Sequence, residues 1–154
     1  MAANRIRVAK DKATLVKDLI VLDNRTGPFQ TYADVIVFAA ALGAKYKKRS
    51  PLGEISQQEP APIGQEHFFS KGYDAIIKLI AIMDSKEIEI LSYDENSDTR
   101  RSHLFEEYAN GGLEIMREEL RGAVDYTDRL ALFLLSERFS KKSEQTSFDL
   151  TRFL

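Results

Sequence analysis

The sequence predicts a mainly α-helical domain opened by one short strand. Three observations carry this reading: apolar residues recur at helical spacing in several segments, residues 5–9 alternate with period two, and all four prolines fall between the helical segments. With 154 residues, 44% of them hydrophobic and 30% charged, the chain can fill one ordinary core but not two large ones.

In residues 5–9, RIRVA, Ile6 and Val8 share one face of a strand while Arg5 and Arg7 share the other. Asp11 is placed to cap a first amphipathic helix over about residues 12–22. Its stripe of Leu15, Leu19 and Leu22 is widened by Val16 and Ile20. The run DNRTGP at 23–28 is a concentrated turn signal. Thr31 followed three residues later by Asp34 matches a capping box, so a second helix is predicted from Tyr32 to about Lys48. Its residues 35–42 are apolar nearly all round, which requires burial on more than one side, against another chain or against the C-terminal half.

Residues 50–66 hold three of the four prolines and read as a semi-rigid strap across the surface. A core helix is predicted over about 68–84, where Tyr73, Ile76, Ile77, Ile80 and Met83 recur at helical spacing and Leu79 and Ile82 widen the face. Residues 87–91 alternate too briefly to separate a strand from a helical turn. After a polar loop at 92–98, a long helix is predicted over 99–121, with Leu104, Tyr108, Ile115 and Leu120 inward. Gly111 and Gly112 interrupt it, each costing about 1 kcal/mol against alanine, and imply a break, a close backbone approach or a tight helix crossing. Asp125 and Asp128 can cap a last helix from Tyr126 to about Phe139, with Leu130, Phe133 and Leu134 on its face. The tail, 140–154, begins polar and ends with Phe148, Leu150, Phe153 and Leu154, either docked on the protein's own core or hooked onto a partner. The predicted organisation is a strand-helix-helix unit at 1–50, a proline-rich crossing at 51–66, a helical remainder at 67–139 in the same domain, and the tail.

No apolar run reaches the roughly 18 residues of a membrane span, the first residues lack a secretory leader's apolar stretch, and there is no cysteine. A soluble protein of the reducing cytoplasm is expected. The net charge of -2 hides an asymmetry. Residues 1–50 carry ten Lys and Arg against four acids, a balance of +6, while the remaining 12 basic and 20 acidic residues leave the rest at -8.

A short strand, a helix, a turn and a second helix is the order used by ribbon-helix-helix DNA-binding proteins, in which two chains pair their strands into a ribbon that enters the major groove. On such a ribbon Arg5 and Arg7 face outward, Lys10 lies beside them, and Thr31 opens the second helix, whose free amides favour a phosphate. Lys45, Lys47, Lys48 and Arg49 add charge for the phosphate backbone. These eight residues are the candidate contacts to double-stranded DNA, with a homo-oligomer implied by the shared ribbon.

Catalytic signals are thin. His67 and His103 stand apart without cysteine, and no phosphate-binding glycine loop or nucleophile elbow occurs. Glu107, Glu114 and Glu118 fall near one helix face, where a divalent cation is one reading and a solvated face paired with Arg117 and Arg121 the favoured one. No enzyme activity, cofactor or metal is expected.

The stretches RIRVAKDKATLV, TGPFQTYADVIVFAAALGAKYKKRSPLGEI, PAPI and FEEYANGGLEIMREELRGAVDY together resemble the DNA phosphorothioation-associated protein 4 family, over most of residues 5–138 and without the tail. Those proteins are encoded with bacterial systems that replace a non-bridging phosphate oxygen by sulfur. Over its basic N-terminal part the family is similar in layout to the small DNA-binding subunit of sulfur-modification complexes. The resemblance implies DNA binding, or scaffolding of the modification or restriction machinery through other subunits, and carries no catalytic residues. Two functions are thus expected to compete: a DNA-binding accessory subunit, and an adaptor that grips other subunits without touching DNA.

Overall fold

The computed structural model describes residues 4–21 and 27–152, with side-chain surroundings through residue 139. Among them are six helices and one two-stranded ribbon: β1 (Arg5–Ile6), α1 (Ala13–Asp18), α2 (Tyr32–Lys45), β2 (Ile63–Gly64), α3 (Glu66–Phe69), α4 (Asp74–Ser85), α5 (Glu95–Leu120) and α6 (Tyr126–Arg152). The predicted class, mainly helical with a short N-terminal strand, is the one observed.

The centre is α2 lying along α5, the most extensive contact in the molecule. Val35, Ile36, Ala39 and Ala40 of α2 are all but fully buried, so the apolar surround of this helix is satisfied within the chain, by its C-terminal half. Close approach is possible because glycines face each other across the crossing. A methyl group on Gly112 would overlap the Ala39 carbonyl, and one on Gly43 the Tyr108 carbonyl. The glycine pair at 111–112 therefore marks a tight crossing, and α5 runs through it unbroken over 26 residues, about 39 Å at 1.5 Å per residue.

The strand is shorter than residues 5–9. Only Arg5 and Ile6 pair, antiparallel with Gly64 and Ile63 of β2, and Ala9 makes an isolated bridge with Ile55. The ribbon is thus formed within one chain, whereas the ribbon-helix-helix reading supplied its second strand from another copy. The proline-rich crossing runs beside this segment as expected of a strap, held by Ser56 N–H to the Val8 carbonyl (2.8 Å) and Lys10 N–H to the Glu54 carbonyl (2.8 Å).

Local corrections follow from side-chain chemistry. Asp11 caps no helix: it lies in a 3-10 turn, Lys10–Lys12, and the cap position of α1 is Lys12, without a side-chain cap. α1 ends at Asp18, and most of the 23–28 turn lies outside the described residues. α2 begins as predicted, Thr31 Oγ1 accepting from Asp34 N–H at 3.2 Å, but ends at Lys45, before the left-handed Lys47 (φ 53°). The single helix predicted over 68–84 is two, α3 and α4, divided by a turn at Gly72 (φ 76°). Residues 88–91 form a 3-10 turn. α5 starts four residues early because Asp94 caps it, its Oδ1 accepting from Ser97 N–H at 2.8 Å. α6 continues through Arg152, so the tail from residue 140 is helical up to that point, while the surroundings of Phe148, Leu150, Phe153 and Leu154 lie outside the described residues.

Candidate functional site

The charged face of α5 gathers four of the ten N-terminal cations, Arg7, Lys12, Lys48 and Arg49. Glu106, Asn110 and Glu114 follow at spacings of four, which stacks them on one side of the helix, with Glu107 next to them. Glu106, its side chain 1% exposed, receives Arg7: Nη2 lies 2.9 Å from Oε1, Nε donates to Oε2 at 3.0 Å, and the backbone N–H of Arg7 donates to the same oxygen at 2.6 Å. The hydrogen bond to Glu106 raises the Arg7 pKa above its ordinary value, and the guanidinium stays charged. One step along, Asn110 Oδ1 accepts from the buried Lys12 Nζ at 3.0 Å. Glu114 then gathers Lys48 (3.3 Å), Lys12 (3.6 Å) and the Ser50 hydroxyl (3.2 Å). Burial alone would raise the Glu114 pKa, but these cations and the hydroxyl bring it below the ordinary value. Arg49 bridges Glu107 at 3.1 Å and Asp84 of α4 at 3.3 Å.

Most of the eight sequence-predicted contacts are engaged within the chain. Arg7, Lys48 and Arg49 are drawn onto α5, Lys10 pairs with Glu54 at 3.2 Å, and Lys45 pairs with Glu137 of α6 at 3.1 Å. Thr31 sits at the opposite end of α2 from Lys45, about 20 Å away along 14 residues. There it is engaged by Asp34 and by Lys71 Nζ at 3.1 Å. Asp34 itself holds Lys71 (2.9 Å) and the Tyr73 hydroxyl (2.7 Å). Its pKa, which burial would raise, is thereby set below the ordinary value. Among the described residues, Arg5 and Lys47 have no carboxylate partner: Arg5 reaches only the Pro62 carbonyl, at 3.5 Å, and Lys47 is exposed.

The three candidate cation ligands are paired as well: Glu107 with Arg49, Glu114 with Lys12 and Lys48, and Glu118 with Arg121 at 2.7 Å. Arg117 turns instead to Asp11, at 3.6 Å. No group of three His, Asp or Glu side chains suited to a metal occurs among the described residues, and both histidines are exposed. No described helix is long and apolar enough to cross a membrane.

The second site is α6. One side of it packs on the body through Leu130 (4% exposed), the half-buried Phe133 and Tyr126, and Glu137, which binds Lys45. The opposite side carries Leu132, Leu135 and Phe139, exposed by 61%, 48% and 64%. Their spacing of three and four residues puts them in one stripe. Of the face expected from helical spacing, Leu130 and Phe133 pack inward while Leu134 is exposed. The stripe is foreshadowed only by the all-round apolarity of residues 130–135, the same signal that marks α2 as doubly covered.

The model of the DNA sulphur modification system-associated protein 4 family matches residues 5–153. The chain belongs to this family. The match takes in the whole of α6, so the family's extent reaches past residue 138, where the resemblance read from the quoted stretches stops, and includes the tail. As a member, the protein is associated with a DNA sulphur modification system. No curated protein and no solved structure matches the chain.

Proposed function

We propose that this protein is an adaptor of the DNA sulphur modification system, presenting α6 to another protein of that system rather than gripping DNA itself. The observation that carries the reading is the two-sided first half of α6: residues 126–139 are bound to the body by one face while the other displays Leu132, Leu135 and Phe139 to solvent. A stripe of large apolar side chains on a helix is recognised by a complementary apolar groove, with affinity concentrated in such anchors. The N-terminal cations support the same reading, since the charges of Arg7, Arg49 and Lys48 are offset within the chain by Glu106, Glu107 and Glu114, which weakens their attraction for phosphate. The intrachain pairing of β1 also removes the motive for a two-chain ribbon.

The test is co-purification with the other proteins of the system, comparing the natural chain with Leu132→Glu/Leu135→Glu/Phe139→Glu. Loss of the complex by a variant whose helical circular dichroism and melting are unchanged supports the adaptor. Undiminished co-purification rejects it. Gel shifts on duplex DNA at two salt concentrations test the rival: binding that falls steeply with salt, and flattens when Arg5 and Lys47 are replaced, would restore the DNA-binding reading.

A further inference from the structure

Away from α6, a further apolar surface lies on α4. Of its residues 75–83, AIIKLIAIM, only Lys78 is polar, in a chain of which 30% is charged. A helix apolar nearly all round has to be covered on more than one side. α2 has the same pattern and finds its covers within the chain, whereas among the described residues α4 is covered on one side only. That inward side is fixed: Ile77, Ile80 and Ala81 are buried, and Asp84 accepts from the Tyr108 hydroxyl of α5 at 2.7 Å. The outward side shows Leu79, Ile82 and Met83, which are 66%, 37% and 42% exposed.

This outward line has the spacing of a helix-pairing seam. Ala75, Leu79, Ile82 and Lys86 follow one another at four, three and four residues, the alternation that keeps one line of side chains against a neighbouring helix. All four are exposed, along about 16 Å of helix. The two ends differ in size and charge. At the start stands the small Ala75, with the half-exposed Asp74 beside it. At the other end Lys86, the residue that closes α4, is exposed and has no carboxylate partner among the described residues.

We propose that this face pairs with the same face of a second copy of the chain, the two α4 helices running antiparallel. The proposal goes beyond the adaptor reading and does not depend on it, since α4 and α6 offer different faces. A two-fold contact about the middle of the seam sets Leu79 of each copy against Ile82 of the other, and Ala75 against Lys86. Large side chains meet at the centre, and at each end the long Lys86 stem lies over a small residue while its ammonium reaches Asp74 of the other copy. Glu87, the acid next to Lys86, is held by Arg100 of its own chain at 3.8 Å. Parallel pairing would instead bring Lys86 to Lys86 and Asp74 to Asp74, a like-charge arrangement. The antiparallel contact uses one patch twice and closes at two copies, whereas the α6 stripe of one copy set on α4 of the next would leave open chain ends. The dimer carries two α6 helices, and so offers two docking elements at once.

Sedimentation equilibrium of the full-length chain over a range of concentrations tests this. The expected result is a dimer whose dissociation constant rises about thirtyfold or more in Leu79→Glu, a change at a mostly exposed position, with helical circular dichroism unaltered. Lys86→Glu should weaken the dimer about fivefold, and adding Asp74→Lys to it should recover most of the loss, because the charges are then exchanged rather than removed. Leu132→Glu/Leu135→Glu/Phe139→Glu should leave the dimer intact, which separates this interface from the α6 face. A single chain mass at every concentration, an unchanged dissociation constant in Leu79→Glu, no recovery on charge exchange, or loss of the dimer with the α6 substitutions overturns the proposal.

Discussion

Arg7 and Glu106 meet three times, through two guanidinium nitrogens and one backbone N–H, with the carboxylate buried and the arginine side chain 41% exposed. This pair ties the first strand segment to the middle of α5, and its two ends are energetically unequal. Arg7→Ala leaves a carboxylate in the interior with a single N–H to neutralise it, at a cost of about 3 kcal/mol. Glu106→Ala leaves the guanidinium free to turn into water and costs less, about 2 kcal/mol. Urea unfolding of the two variants should give this order. The reverse order would mean that Arg7 is held by something other than Glu106.

The glycine crossing reverses an ordinary rule. On helix propensity, alanine for glycine in the interior of α5 stabilises by about 1 kcal/mol. At Gly112 the added methyl meets the Ala39 backbone carbonyl, which cannot swing aside as a side chain would. Gly112→Ala is therefore expected to destabilise by about 3 kcal/mol, and Gly43→Ala similarly through the Tyr108 carbonyl. A thermal melt showing either variant more stable than the natural chain would contradict the crossing.

Acid should weaken the fold through specific carboxyls. Asp34, Asp94 and Glu114 lie below their ordinary values of 3.8, 3.8 and 4.5. Asp34 and Glu114 do so despite burial, through Tyr73, Lys71 and Thr31 in one case and Lys48, Lys12 and Ser50 in the other; Asp94 does so through the backbone and hydroxyl of Ser97. A carboxyl that ionises more readily when folded adds stability above its unfolded pKa and loses it as pH falls through the folded one. The urea midpoint should thus be flat in mildly acidic buffer and drop as pH falls below 4.5. Glu114→Gln should lower the plateau and shallow the drop.

What the sequence made legible is what local chemistry dictates. Thr31 and Asp34 suffice to start α2, because a cap is made within one turn, and the all-round apolarity of residues 35–42 correctly demanded a doubly covered helix. Asp11 shows the limit. It has the right side chain for a cap, yet Lys12 and Arg117 compete for it, and Arg117 comes from a distant part of the chain. The same limit governs the site. A run of cations at Lys45, Lys47, Lys48 and Arg49 is visible in one dimension, but Glu137, Glu114, Glu107 and Asp84, which neutralise three of the four, are brought to them only by folding.

Glu137 ties the body-facing side of α6 to the end of α2. It binds Lys45 at 3.1 Å, and burial together with Glu137 pushes the neighbouring Tyr46 hydroxyl up to about 12. A tyrosine whose pKa is raised by folding contributes stability below its unfolded value of 10 and loses it as pH rises through the folded one. The α6 contact should therefore loosen in the window from 10 to about 12, where Tyr46 becomes an anion facing a carboxylate. Tyr108, also at about 12 through burial and Asp84, places a second alkaline weakness at the α4–α5 contact, so local and global effects must be separated. Hydrogen exchange does this at neutral pH. Glu137→Ala should speed exchange of amides in residues 130–139 by about tenfold, while those of α2 stay protected. Were α2 to lose protection equally, α6 would be an integral part of the core, and the helix could not serve as a separately presented docking element.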